Sequence, residues 1–194
     1  AVGQAGPPDG SVLQGAQPLG AGRLKAYRKS GSTLVVLPPG SLGKPIVWYT
    51  EVVAVPAGVV ANQGLEVTNV IARFERAGPF VHVRDLSTLQ KRRAGPPPAD
   101  MPAPPGAAPR DAKVRPIELA LAGGEAGPLM ATFPIVELSP DGSIVIDVTP
   151  TFSNDIPAAT ARLIIAEGGV APAVVDPSKS YIDRVRVRGD TLNI

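Results

Sequence analysis

The chain carries one histidine, His82, no cysteine and 17 acidic side chains. That inventory decides which chemistries its residues can support. With no Cys, disulfide frameworks, thiolate metal sites and cysteine nucleophiles are excluded. With one His, a zinc site built on a His pair is excluded too, H-E-x-x-H included. A lone imidazole can still act as a general base. His82, however, lies within Phe80-Val81-His82-Val83-Arg84, a strand-like run with no carboxylate beside it in sequence, and is expected to be structural. Paired carboxylates are the remaining catalytic option, since glycoside hydrolysis needs two of them about 5–10 Å apart. Glu51, Glu75, Asp147 and Asp155 are the candidates. Glu75, with Arg73 and Arg76 close on either side, reads more simply as part of a salt-bridged strand face.

Other motifs fail on spacing. Gly40-Ser41-Leu42-Gly43-Lys44-Pro45 has two residues between its glycines and a proline where a phosphate loop needs a hydroxyl. Asp141-Gly142 lacks the neighbouring carboxylates of a calcium loop. No G-x-S-x-G nucleophile elbow occurs. Arg188-Gly189-Asp190 spells an integrin-type tripeptide but ends a strand-like run in a natural turn. No catalytic, cofactor-binding or metal-ligating residue is therefore expected, and no cofactor. Arg73, Glu75 and Arg76 are the candidate partner-contact face.

The elements that position these residues are short and β-rich. The 194 residues include 21 Gly, 23 Pro and only 4% aromatics, so a core must come from Val, Ile, Leu and Ala. Residues 1–31 form a Gly/Pro-rich segment expected to be flexible, with the first ordered element starting near Leu24. Residues 32–194 are expected to form a single β-rich domain. Thr33–Leu37 is a β-branched run ended by Pro38-Pro39-Gly40. Ile46–Val53 is nearly continuous in strand formers and reads as central or buried on both faces. Val67–Arg76 and Phe80–Arg84 flank Ala77-Gly78-Pro79 as a hairpin. In the first of these, Val70, Ala72 and Phe74 alternate with Ile71, Arg73 and Glu75, which should face water or a partner. Met130–Leu138 and Ser143–Val148 flank Pro140-Asp141-Gly142, whose residues preset a turn.

Seven of the fifteen residues 95–109 are Pro, so 94–113 is expected to be an exposed extended loop interrupting the domain. Ile117–Leu121 and Pro157–Gly168 are ambiguous between strand and short helix. Asp176–Ser180 is a turn into Tyr181–Val187. The fold class is mainly β: an antiparallel sandwich or curved sheet of about seven to nine short strands, with at most two short helices.

The formal charge is +2, which leaves no strong nucleic-acid footprint. Basic residues at Lys91, Arg92, Arg93, Arg110, Lys113 and Arg115 flank the Pro-rich stretch and read as solvated loop charge. No run of apolar residues is long enough for a transmembrane helix.

Four stretches in order carry a family resemblance: Leu34 to Glu51, Val70 to Arg84 (VIARFERAGPFVHVR), Leu129 to Phe152 (LMATFPIVELSPDGSIVIDVTPTF) and Asp176 to Val185 (DPSKSYIDRV). They resemble the N-terminal domain of unknown function that precedes the catalytic part of bacterial zinc-dependent, metzincin-like metallopeptidases. The family's V-x-R-F-E-R-x-G strand is matched by Val70, Arg73, Phe74, Glu75, Arg76 and Gly78, with one-residue spacing differences. Its S/T-F-P-I segment is matched by Thr132, Phe133, Pro134 and Ile135, and its D-V-T by Asp147, Val148 and Thr149. The resemblance spans 32 to about 188, with the Pro-rich loop as an insertion. It departs where an aromatic-Pro pair should follow the last turn and Arg186-Val187-Arg188 stands instead. The family's H-E-x-x-H lies far downstream and is absent here.

The resemblance implies a non-catalytic accessory domain of an exported bacterial zinc metallopeptidase, secreted or periplasmic. Its partner would be the catalytic domain, in the same precursor or a separate chain, which it would pack against, shape or hold latent. The alternative is a stand-alone secreted binding or self-assembly module that forms homo-oligomers by edge-strand pairing. A carboxylate hydrolase is a third reading.

Overall fold

The computed structural model describes residues 10–53, 64, 66–87, 127–154 and 176–194. Among these residues ten strands form one sheet: β1 (Gln17–Gly22), β2 (Lys25–Lys29), β3 (Ser32–Leu37), β4 (Pro45–Glu51), β5 (Glu66–Ala77), β6 (Phe80–Asp85), β7 (Leu129–Leu138), β8 (Ile144–Asp147), β9 (Arg186–Gly189) and β10 (Thr191–Asn193). One helical turn, α1 (Thr149–Phe152), follows β8, and a 3-10 turn spans Pro177–Lys179. The spatial order is β10-β9-β1-β2-β3-β8-β7-β6-β5-β4. All neighbours are antiparallel except β1 and β9. The sheet curls into a half-barrel, the curved-sheet form of the mainly β expectation.

Local chemistry sets the turns. Gly78 takes φ 59° between β5 and β6, and Gly142 takes φ 84° between β7 and β8; both conformations are cheap without a Cβ. Asp141 fixes the second turn by accepting from the Ser143 N–H at 2.9 Å and the Ser143 hydroxyl at 3.0 Å. Those bonds hold its carboxyl below its ordinary pKa.

Strand alternation then sorts side chains between two faces. On the inner face, residues from β2 to β9 form one apolar cluster that includes Val35, Leu37, Phe74, Val81, Val83, Phe133, Ile144, Ile146 and Val187. Phe152 of α1 stacks between Trp48 and Phe133, with ring centroids 5.9 Å apart in both pairs. The outer face differs along the sheet. Leu34 and Val145 lie there at the β3–β8 end with Leu13; Arg73 and Glu75 lie there at the β5 end.

The structure departs from the sequence reading in four places. First, Ile46–Val53 is expected to be central or buried on both faces, yet among the described residues β4 is an edge strand with alternating exposure, and Val47 is 69% and Tyr49 49% exposed. Strand-forming composition measures a fit to a pleated surface and does not distinguish edge from centre. Second, Gln17–Gly22 form β1 rather than part of a flexible segment, while β2 at Lys25–Lys29 falls where the first ordered element is expected. Their pairing runs through the main chain, which needs no strand-forming side chains. Glycine serves it: a Cβ on Gly22 would overlap the Gly189 carbonyl and come within 2.7 Å of Val187 Cγ1. Third, the described residues hold ten strands rather than seven to nine, because β1, β2 and β10 add to the expected set. Fourth, after the Asp176 turn, strand structure begins at Arg186, not at Tyr181. The Pro-rich loop 94–113, Ile117–Leu121, Pro157–Gly168, Asp155 and the basic residues 91–93 and 110–115 lie outside the described residues.

Candidate functional site

Three features of the outer surface hold polar or exposed side chains that can act on another molecule. The first is an ionic cluster on the outer face of β5 and β6. The hairpin register sets Glu75 opposite His82 and Arg73 opposite Arg84. Arg73 Nε donates to Glu75 Oε1 at 2.6 Å, and its Nη2 lies 2.5 Å from the same oxygen. Arg84 Nε approaches Glu75 Oε2 at 3.5 Å, an ion-pair contact that leaves this buried N–H without a hydrogen bond. Arg84 Nη1 donates to the Gly127 carbonyl at 3.2 Å. Arg73 is only 9% exposed. A guanidinium so far removed from water needs its carboxylate, because an unpaired buried charge is strongly destabilising.

Of the candidate contact face, then, the structure brings Arg73 and Glu75 together and separates Arg76. Arg76 pairs in register with Val81, so its side chain starts from the other face, is exposed, and donates from Nε to the Gly78 carbonyl at 3.4 Å. His82 gains a carboxylate neighbour that its sequence surroundings do not contain. The signal for that pairing was the hairpin itself, since Ala77-Gly78-Pro79 places 75 and 82 across from each other.

The second feature is the β4 edge. Among the described residues, no strand lies beyond β4. Its outward row is Pro45, Val47, Tyr49 and Glu51. The Tyr49 hydroxyl donates to Glu51 Oε2 at 2.9 Å. That bond, with some burial and the nearby charges of Glu51 and Glu66, raises the phenol above its ordinary pKa. Edge strands are usually blunted by Lys, Pro or shortness. Here proline guards only the first of seven positions.

The third feature surrounds Glu137 on β7. Its carboxylate accepts from the Val12 N–H at 2.6 Å, from the Ser11 hydroxyl at 2.9 and 3.1 Å, and from the Ser139 hydroxyl at 3.0 Å. Partial burial pushes its pKa up, and the bonds from Val12, Ser11 and Ser139 outweigh it, so the carboxyl titrates below its ordinary range. Two open clefts of about 330 and 480 Å³ flank it, one toward Arg76 and Pro79 and the other toward Gly10 and Ser11.

Of the carboxylates considered for hydrolysis that the structure describes, Glu51 and Glu75 lie far apart. Glu51 ends β4 opposite Glu66, while Glu75 lies nine residues farther along β5, roughly 30 Å at strand rise. Asp147 closes β8, where it accepts from the Ser32 hydroxyl at 3.1 Å and the Thr149 N–H at 2.9 Å. Among the described residues, no three His, Asp or Glu side chains converge as a metal site. No helix among them is long and apolar enough to cross a membrane.

No family model, curated protein or solved structure matches the chain.

Proposed function

We propose that the chain is a non-catalytic accessory domain of an exported bacterial zinc metallopeptidase, secreted or periplasmic, which packs against the catalytic domain to shape its cleft or hold it latent. The observation that carries this reading is the role of the motif residues. Asp147 and Thr149 of the D-V-T motif tie β8 to β3, with the Thr33 N–H donating to Thr149 Oγ1 at 2.7 Å. The Thr151 hydroxyl donates to the Thr132 carbonyl at 2.7 Å, joining α1 to the T-F-P-I strand. Asp176 of the D-P-S turn accepts from the Ser178 N–H and hydroxyl at 3.0 and 2.6 Å. Arg73 and Glu75 of the R-F-E-R strand bond to each other. The motif thus works as scaffold, which suits a domain whose task is to present a surface. The β4 edge, with exposed Val47 and Tyr49, is the contact row this reading assigns to the catalytic domain.

The gene supplies the test. An H-E-x-x-H encoded several hundred codons beyond Ile194 is the expected finding. Tyr49→Asp in that longer protein is expected to weaken the association of the two parts in limited proteolysis and co-purification. Peptidase activity in the isolated 194-residue chain that a chelator abolishes would overturn the non-catalytic reading.

A second reading, a stand-alone module that self-assembles, draws on the same unblunted edge. Light scattering after size exclusion separates the two: a concentration-dependent oligomer that Tyr49→Asp dissolves favours assembly.

A further inference from the structure

The turn between β9 and β10 carries the Arg188-Gly189-Asp190 tripeptide. Arg188 pairs in register with Thr191, so Gly189 and Asp190 are the two central residues of a tight hairpin. Gly189 takes φ 54° at the first central position, where two-residue hairpin turns of the II′ kind place glycine. The base of this hairpin is held by the rest of the sheet. The Arg23 N–H donates to the Gly189 carbonyl at 2.9 Å, β9 pairs with β1 through Gly20, Ala21 and Gly22, and Val187 is buried in the inner cluster.

The tip itself is bare. Arg188, Gly189 and Asp190 are all exposed. A Cβ built on Gly189 would meet nothing within 4 Å. Among the described residues, no hydrogen bond or ion pair engages the Arg188 guanidinium or the Asp190 carboxylate. Asp190 differs in this from the other turn aspartates. Asp141 and Asp176 each accept from a serine two residues on and so serve their own turns. Strand alternation sends Arg188 outward with Arg184 and Arg186, while Val185 and Val187 turn inward.

We propose that this tip is a recognition loop for an integrin-type adhesion receptor, one that reads Arg-Gly-Asp with an acidic pocket for the guanidinium and a protein-held divalent cation for the carboxylate. A guanidinium forms paired hydrogen bonds with a carboxylate. A carboxylate completes the oxygen shell of a hard cation. The glycine between them lets a receptor wall approach main chain that a side chain would block. Because the base of the turn is fixed, little ordering entropy is lost on binding. The inference shares with the accessory-domain reading only the export of the chain. It uses neither the β4 edge nor a catalytic partner, so binding by the purified chain is decided separately from that reading.

The test immobilises the full chain and passes over it the purified ectodomain of an Arg-Gly-Asp-reading integrin in Mn²⁺, with association followed by biolayer interferometry. Saturable binding is expected, lost when EDTA strips the cation and lost to a soluble Gly-Arg-Gly-Asp-Ser peptide. Asp190→Glu keeps the charge and moves the carboxylate by one methylene. It should weaken binding roughly tenfold or more, because coordination of a cation is set by distance. Asp190 is exposed and unpartnered among the described residues, so this change tests recognition and not folding. Arg184→Ala combined with Arg186→Ala should leave binding unchanged. The absence of saturable binding overturns the proposal, as does binding that Asp190→Glu leaves intact. Binding that falls with Arg184→Ala and Arg186→Ala as far as with Asp190→Glu also overturns it, since general attraction to a basic strand would then explain the contact.

Discussion

At the β3–β8 end of the sheet the outer face is apolar, with Leu34 and Val145 beneath Leu13; at the β5–β6 end it is ionic, with Arg73 and Arg84 around Glu75. The inner face runs under both ends as one cluster. The same backbone thus carries two different outer closures. Apolar contact is non-directional, so at one end a single buried Leu from a strap of tight turns at residues 11–16 suffices. Charge is directional and costly to desolvate. At the other end each carboxylate oxygen of Glu75 meets a guanidinium, and Arg73 lies largely out of water beside it. The apolar end is thus closed by packing and the ionic end by paired charge.

Both ends lose their support when the shared inner face is damaged. Phe133→Ala removes a side chain 2% exposed and stacked on Phe152. It should cost about 3–5 kcal/mol, read as a lower urea midpoint, and both ends should unfold together. A transition in which the β5–β6 end outlives the β3–β8 end would show that the inner cluster is not one unit.

Glu75→Ala acts on the ionic end alone. It removes the carboxylate from a buried guanidinium and should cost about 1.5–3 kcal/mol. In a double-mutant cycle with Arg73→Ala the two losses should fall short of additive, because both changes remove the same ion pair. Strict additivity would mean that the pair contributes nothing as a pair.

Leu13→Ala acts on the apolar end and should cost less than the roughly 2–5 kcal/mol of a core Leu→Ala, since the strap peels away before the sheet is affected. Hydrogen exchange should quicken at the Val12 and Leu13 amides while β3 and β8 stay protected. Quickening across the whole sheet would mean that the strap is integral to it.

The smallest effect is one of pH. Glu137 has a folded-state pKa below its ordinary value, so its contribution is fully present above the ordinary carboxylate range. It is lost as pH falls through the folded value. Protection of the Val12 amide should therefore decline on acidification, and Glu137→Gln should flatten that decline. An unchanged profile in Glu137→Gln would assign the acid loss to other carboxylates, such as Asp141.

Much of the sheet is legible in the residues. The two hairpins around Gly78 and Pro140-Asp141-Gly142 follow from turn chemistry and strand-forming flanks, and both form where expected. The alternation Ala72, Phe74 against Arg73, Glu75 correctly divides inner from outer face. The burial of Arg73 is not legible, because alternation tells which way a side chain points and not how far from water it ends. Nor was Glu137 singled out: its partners Ser11 and Val12 lie 126 and 125 residues away in sequence.

What the amino-acid sequence determined by itself is local: short strands, their turns, and the two-fold alternation that puts Val, Ile and Phe on one side. These depend on neighbouring residues, whose steric and hydrogen-bonding preferences act over a few positions. What only the tertiary structure decided is which strand lies at an edge, that a Gly-rich segment pairs between β9 and β2, and that Glu137 clamps a strap from the far end of the chain. Each of these depends on which backbone groups find partners across long sequence separations, and main-chain donors and acceptors look alike in every residue but proline.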